Sequence, residues 1–182
     1  MEIILVRHGQ TSANLKKILQ GNYDTTLNDI GINQAKILAE DIKNINFTNI
    51  YCSSLKRARE TCEILNTNND IVKYDDRLKE RNYGVLEGKV NLNINIKEEF
   101  WNLNKKNNKP AHGESLIEFI SRVENFMIEL EKKHKNDDKI LIVSHSGTII
   151  AIQCYLNKLP LDNNFYKYCI ENCGILRLNK NI

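Results

Sequence analysis

Two short histidine-containing runs are the part of this sequence best suited to chemistry. One reads Arg7-His8-Gly9 and the other Ser144-His145, and each completes or directly follows an apolar stretch. A neutral imidazole is a competent nucleophile near pH 7, because its unperturbed pKa is about 6.5. A neighbouring guanidinium can bind an anion through paired N–H groups. These residue types therefore indicate capture and transfer of an anionic group, most simply phosphate.

Further charged side chains come after the other apolar stretches of the chain. Arg57 follows one of them by about a helical turn, and Glu80 follows the next. Ligands of open α/β sheets bind at the carboxyl ends of the strands, so we expect both side chains to meet the two histidine runs there. A cationic cluster buried without a partner would be costly, and an anion would complete it.

The strands and helices that must position these residues can be read from apolar periodicity. Apolar runs predict strands at residues 3–6, 49–52, 71–74, 140–143 and 174–178. Segments with helical spacing of apolar residues lie among them at residues 35–45, 55–65, 116–130 and 147–157. Alternating strands and helices indicate an α/β protein. We expect a three-layer α/β/α sandwich, with a mostly parallel central sheet and helices on both faces.

The length of 182 residues fits one domain spanning residues 1–182. Two polar stretches interrupt the pattern, at residues 11–27 and 89–110. The second is rich in lysine and asparagine and carries Phe100 and Trp101 on a predicted short helix. We expect residues 89–112 to form an excursion that covers the site.

The bulk composition is that of an ordinary soluble globular protein. The net charge of +3 is small and dispersed, which argues against nucleic acid and membrane surfaces as partners. The five cysteines are odd in number and contain no CxxC pair, which favours reduced thiols and a cytoplasmic location. The spacing of the histidines and cysteines does not resemble a zinc site, and we expect neither a metal nor a cofactor. The oligomeric state is left open.

Several blocks of the chain resemble the histidine phosphatase, or phosphoglycerate mutase-like, superfamily. The segment from Leu5 to Asn14 resembles its signature, and residues 53–58 and 77–88 resemble its second and third blocks. Gly113-Glu114-Ser115 and residues 143–145 complete the pattern. The resemblance spans residues 3 to about 178, in the family's order, and implies the phosphoglycerate mutase-like fold.

The resemblance also implies roles for individual residues. His8 would attack phosphorus and become phosphorylated, while Glu80 would protonate the leaving oxygen and then deprotonate the attacking water. The residues expected to bind the phosphoryl oxygens are Arg7, Asn14, Arg57, His145 and the backbone amide of Ser146. The candidate contacts for the rest of the substrate are Gln20, Gly21, Tyr83 and Glu114.

Three functions remain open at this point. Residues 78–88 look close to the cofactor-dependent phosphoglycerate mutases, but those enzymes carry an arginine pair in an inserted segment, and residues 89–112 contain no arginine. We therefore favour metal-independent hydrolysis of a small-molecule phosphomonoester. Alpha-ribazole 5'-phosphate is one candidate, because short alpha-ribazole phosphatases share this layout. The alternatives are the mutase and an inactive phosphoryl-binding or interaction module.

Overall fold

A five-stranded sheet forms the centre of the computed structural model, which describes residues 1–90, 95–158 and 164–180. The strands are β1 (Glu2–Arg7), β2 (Asn49–Cys52), β3 (Val72–Tyr74), β4 (Lys139–Ser144) and β5 (Ile175–Asn179). Their order across the sheet is β3-β2-β4-β1-β5. The first four strands are mutually parallel, and β5 runs antiparallel to β1 at one edge.

The register of the parallel strands brings their carboxyl ends to one level. Arg7 at the end of β1 lies opposite Ser144 at the end of β4, and Cys52 at the end of β2 lies opposite Val143. The residues that directly follow these strands therefore emerge together at one edge of the sheet. Residues that directly follow parallel strands in the sequence can therefore be expected to form a site together.

Helices cover both faces of the sheet. They are α1 (Ser12–Leu15), α2 (Asp29–Ile42), α3 (Lys56–Leu65), α4 (Ile96–Phe100), α5 (Leu116–Lys133) and α6 (Ser146–Asn157). Ile4 and Val6 of β1 pack in a core cluster with α2 and α3, whereas Ile3 and Leu5 pack in a second cluster with α5 and α6. Alternate residues of one strand thus feed two cores, because successive side chains point to opposite faces. The predicted three-layer α/β/α sandwich is confirmed.

Some boundaries differ from the apolar pattern. Helix α2 ends at Ile42, so Ile45 lies beyond it and packs against the core from the following turn. Leu55 is the residue that precedes α3 rather than part of it. The predicted polar interruption at residues 11–27 contains the short helix α1, which Thr11 and Asn14 cap reciprocally.

The described part of the excursion, residues 89–90 and 95–112, packs through Phe100 and Trp101 on the α5 and α6 side of the sheet. It contains α4 and a turn of 3-10 helix at Leu103–Lys105, and residues 91–94 lie outside the described part of the chain. Trp101, directly after α4, is 5% exposed, and its ring lies 5.8 Å from that of Phe119 and 5.6 Å from that of Phe165. The covering role of this excursion and the single-domain organisation stay predictions.

No helix within the described ranges has both the length and the apolar character needed to cross a membrane.

Candidate active site

The ends of the parallel strands bring together the side chains that the sequence selects. His8 directly follows β1, His145 directly follows β4, and Arg57 lies in the first turn of α3. All three are buried, with 3%, 0% and 1% of their surface exposed respectively. The two imidazole rings lie 5.1 Å apart between centroids, and Arg57 Nε donates to His8 Nε2 at 3.3 Å. The predicted convergence therefore occurs.

The hydrogen bonds of His8 fix which nitrogen can attack. His8 Nδ1 lies 2.7 Å from the carbonyl oxygen of Gly9, and a carbonyl can only accept, so Nδ1 carries the hydrogen. The lone pair is then on Nε2. Burial, followed by the charges of Arg57 and Arg7, holds the pKa of His8 well below its usual value of 6.5. The imidazole is neutral near pH 7, as a nucleophile must be.

The main chain around His8 requires glycine at its neighbour. A methyl group on Gly9 would lie 2.6 Å from the carbonyl oxygen of Gly31 in α2. The amide of Gly9 donates to the hydroxyl of Thr61 in α3 at 3.0 Å. The strand end that carries His8 is thus held between α2 and α3.

The two arginines of the cluster are oriented by backbone carbonyls rather than by carboxylates. Arg57 donates through Nη1 to the carbonyl of Tyr23 at 3.1 Å and through Nη2 to that of Gly21 at 2.7 Å. Burial lowers the pKa of Arg57 to about 10, so it stays cationic near neutral pH. Arg7 donates through Nη1 to the carbonyl of Ile170 at 2.8 Å, and its buried Nε has no hydrogen-bond partner among the described residues. Among the described residues, neither cation has a carboxylate in hydrogen-bond contact, which suits the binding of an anion.

Glu80 is fixed beside the first turn of α6. Its Oε2 accepts from the amide of Gly147 at 3.0 Å, and its Oε1 accepts from the amide of Arg81 at 2.9 Å. A methyl group on Gly147 would lie 2.3 Å from Glu80 Oε1 and 3.0 Å from the Trp101 ring. Gly147 therefore has to be small for the carboxylate and the excursion to approach α6 together.

Arg81 is a site neighbour that the sequence analysis did not single out. Its side chain is fully buried and donates to the carbonyl of Glu114 through Nε at 3.3 Å and Nη2 at 3.0 Å. Nη1 donates to the carbonyl of Phe100 at the end of α4. The guanidinium also lies 5.7 Å from the centre of the Trp101 ring. Arg81 directly follows Glu80 in the chain, so its contacts link Glu80 to the excursion. In the sequence, only its place inside the third family block, residues 77–88, pointed to a role at the site.

Asn14 lies in the short helix α1, and Ser146 begins α6 directly after His145. The Oδ1 of Asn14 accepts from the amide of Thr11 at 3.0 Å, so its oxygen is used in capping α1. Ser146 is the first residue of α6, and its hydroxyl donates to the sulfur of Cys169 at 3.4 Å. Their predicted phosphate contacts stay predictions.

The four candidate contacts for the rest of the substrate are already bonded within the protein. Gln20 Oε1 accepts from two threonine hydroxyls, and the carbonyl of Gly21 accepts from Arg57. The Tyr83 hydroxyl accepts from Trp101 Nε1 at 2.6 Å. Glu114 pairs with Arg122 at 2.7 Å. These contacts show structural uses, and any contact with substrate stays a prediction.

The loop before β5 is a second feature that the sequence analysis missed. Besides the carbonyl of Ile170, which holds Arg7, it supplies Asn172 Nδ2, which donates to the carbonyl of His8 at 2.9 Å. The amide of Cys173 donates to the carbonyl of Arg7 at 3.0 Å. These bonds join residues more than 160 positions apart, so no local pattern could have predicted them.

Across residues 1–90, 95–158 and 164–180, the structure contains no group of three or more histidine, cysteine, aspartate or glutamate residues placed to hold a metal ion.

The neutral buried histidines make the stability of the fold sensitive to acid. Burial, with the charges of Arg57, His8 and Arg7, also lowers the pKa of His145. Both rings stay neutral in the folded state while the unfolded chain titrates near 6.5, so unfolding takes up protons below that pH. We expect the free energy of unfolding to fall below about pH 6.5 by up to about 1.4 kcal/mol per pH unit for each ring.

Urea unfolding between about pH 7.5 and about pH 5 measures this effect. His8→Gln should make the decline shallower, because glutamine does not titrate. His112→Asn, at an exposed position, should leave it unchanged. An equal decline in His8→Gln and the unsubstituted protein would contradict the assignment.

The chain is similar to known proteins over nearly its whole length. The model of the histidine phosphatase superfamily (branch 1) matches residues 3–181. A probable phosphatase of Schizosaccharomyces pombe is 36% identical over 162 residues, covering 85% of this chain and 73% of that protein. A probable phosphoglycerate mutase of Proteus mirabilis is 31% identical over 191 residues, covering 98% and 85%. Among solved structures, the alpha-ribazole phosphatase from Shigella flexneri matches with a TM-score of 0.87 at 26% identity, covering 100% of this chain and 91% of that one.

Proposed function

Because this chain belongs to the histidine phosphatase superfamily (branch 1), we propose that His8 takes the phosphoryl group from a small-molecule phosphomonoester and passes it to water. The protein is an enzyme of the phosphoglycerate mutase family and a phosphatase that works through a phosphohistidine. The observation that carries the assignment to His8 is the lone pair of Nε2. The bond from Nδ1 to the carbonyl of Gly9 leaves this lone pair on Nε2, where it accepts a hydrogen bond from Arg57 Nε at 3.3 Å.

The reaction has two steps in this proposal. In the first, His8 Nε2 forms a bond to phosphorus while the bond from phosphorus to the ester oxygen breaks, and that oxygen takes a proton from Glu80. In the second, water attacks phosphorus, gives a proton to Glu80, and the bond from phosphorus to Nε2 breaks. Inorganic phosphate and neutral His8 result, so the cycle closes without an added cofactor.

Two arginines supply the electrostatic part of this mechanism. Arg7 and Arg57 would bind the equatorial oxygens of the phosphoryl group, on which charge accumulates during transfer. His145 and the amide of Ser146, at the start of α6, would add donors, since a helix amino terminus favours an anion. Asn14 would donate through its amide nitrogen.

Glu80 is proposed as the acid and base because of its place in the cluster. It lies one residue from Arg81 and bonds to Gly147, two residues after His145. Each of its oxygens accepts one backbone N–H, and each keeps a further lone pair that can carry a proton.

Alpha-ribazole 5'-phosphate is the proposed first candidate substrate, supported by the likeness to the Shigella enzyme over the whole chain. Mutase activity is the second candidate, since a relative covering 98% of the chain is named as a probable mutase. The lack of arginine at residues 89–112 favours hydrolysis.

We also propose a cytoplasmic location, because the cysteine pattern favours reduced thiols. Cell fractionation tests this proposal.

A substrate panel separates these activities. We expect the protein to release inorganic phosphate from p-nitrophenyl phosphate and from alpha-ribazole 5'-phosphate in the presence of EDTA. This hydrolysis should not require 2,3-bisphosphoglycerate. Interconversion of phosphoglycerates that requires 2,3-bisphosphoglycerate would establish the mutase instead. A lack of turnover and of any phosphoenzyme across the panel would leave the inactive binding module.

The same panel tests the role of Glu80. Glu80→Gln should slow hydrolysis of alkyl phosphates by about a hundredfold or more, because the alkoxide then leaves without a proton. With p-nitrophenyl phosphate, the substitution should slow the phosphorylation of His8 much less, since p-nitrophenolate leaves without protonation. Burst kinetics isolate that step, and equal losses for both ester classes there would contradict the acid role.

A further inference from the structure

Ser53 has a buried hydroxyl that takes no part in the proposed mechanism. It directly follows β2, is fully buried, and its Oγ lies 2.7 Å from Nε2 of His145. Nδ1 of the same ring is also buried and has no hydrogen-bond partner among the described residues. One ring nitrogen of His145 is thus hydrogen-bonded to Ser53, whereas the other has no partner among the described residues.

The direction of the bond between Ser53 and His145 follows from the acceptors that are present. Ser53 Oγ already accepts from the amide of Leu55, at a long 3.4 Å. Within the described part of the chain, His145 Nε2 is the one acceptor that the Ser53 hydroxyl hydrogen reaches. With the Ser53 hydroxyl as the donor, Nε2 accepts, and a neutral imidazole whose Nε2 accepts carries its hydrogen on Nδ1.

The ring of His145 is neutral as well as oriented. Burial, with the nearby cations, holds its pKa well below the usual value. A neutral ring has one N–H, so the partner of one nitrogen decides what the other can do. If Nδ1 carries the hydrogen, it can donate to a phosphoryl oxygen. If Nε2 carried it, Nδ1 would present a lone pair to that oxygen and repel it.

From this geometry we infer that Ser53 is a positioning residue that holds His145 in the Nδ1–H form, so that Nδ1 donates to the transferred phosphoryl group. The inference rests on the proposed function. The two histidines are then set to opposite roles by different partners. The carbonyl of Gly9 puts the lone pair of His8 on Nε2, and the hydroxyl of Ser53 puts the hydrogen of His145 on Nδ1.

Turnover of Ser53 variants gives the first test. Ser53→Ala should lower kcat/KM by about ten- to hundredfold, the scale on which loss of an orienting hydrogen bond acts on metal-ligating histidines. Ser53→Thr keeps the hydroxyl and should retain more activity than Ser53→Ala. Ser54→Ala is the matched control, because its hydroxyl bonds to Asp76 and should leave turnover unchanged.

The tautomer of His145 gives a second test, because a loss of stability alone would not change which ring nitrogen carries the hydrogen. Long-range ¹H–¹⁵N spectra distinguish protonated from unprotonated ring nitrogens, and the chain has four histidines, which single His→Gln variants assign. We expect protonated Nδ1 for both His8 and His145, and partial transfer of the His145 hydrogen to Nε2 in Ser53→Ala.

Two results would overturn the inference. One is a protonated Nε2 on His145 in the unsubstituted protein, which can be observed even if Ser53→Ala fails to fold. The other is turnover of folded Ser53→Ala within about twofold of normal, since a lost positioning contact costs about tenfold or more. An unsubstituted protein without turnover would reject the proposed function, whereas an active one with the wrong tautomer rejects only the role of Ser53.

Discussion

His8→Ala should lower phosphatase turnover by at least about ten-thousandfold, because nucleophiles that form covalent intermediates contribute on this scale. The variant loses the Nε2 lone pair that faces Arg57. The other imidazole of the cluster cannot replace it, since the Nε2 of His145 is bonded to Ser53. Alanine leaves the main-chain bonds of the strand end in place, so the fold should persist.

The measurement for His8 has two parts. Phosphate release gives turnover, and a rapid quench with labelled substrate shows the phosphoenzyme, whose label a phosphohistidine loses in acid and keeps in base. The label should be absent from His8→Ala and present in His112→Asn, which changes an exposed histidine. An acid-stable label, or more than about one per cent of normal turnover in His8→Ala, would reject His8 as the nucleophile.

Arg57→Ala should lower turnover by about a hundredfold or more, the scale on which one donor in an anionic transition-state site contributes. Arg57 Nε faces the nitrogen to which phosphorus would bond, so its charge lies where the transferred oxygens must be. Arg57→Lys keeps a charge without the planar pair of donors, and we expect it to recover part of the loss.

Arg57 also has a measurable effect on the pH profile. Its charge helps to lower the pKa of His8, so its removal raises that pKa towards 6.5. A raised pKa means that His8 is protonated at higher pH, and the acid limb of kcat/KM should move upward in Arg57→Ala. Arg59→Ala, on the exposed side of the same helix, should change neither turnover nor the profile. Near-normal turnover in folded Arg57→Ala would contradict the assigned role.

The strand pattern of the sequence was informative because it depends on local chemistry. Ile3–Val6 and Ile140–Val143 are apolar throughout, as strands buried on both faces must be. Once these strands are parallel and level, the residues that follow them have to meet. The cluster of His8, Arg57, Glu80 and His145 could therefore be predicted, although its internal hydrogen bonds could not.

The partners of the buried polar groups were not predictable for a different reason. The carbonyls that orient Arg7 and Arg57 belong to Ile170, Gly21 and Tyr23, and each is chosen by how the chain returns to the site. The fully buried Arg81 likewise finds its acceptors at Phe100 and Glu114. Backbone carbonyls exist at every residue, so the sequence carries no signal for which of them will be close.

The sequence by itself determined the layered α/β fold, the sheet edge that holds the site, and the residue types that suit phosphoryl transfer. Apolar periodicity and the placement of charge after strands are properties of short segments, and they survive without knowledge of the rest of the chain. The tertiary structure decided which nitrogen of each histidine carries its hydrogen. That choice depends on single contacts, from Gly9 to His8 and from Ser53 to His145, and the second of these joins residues 92 positions apart.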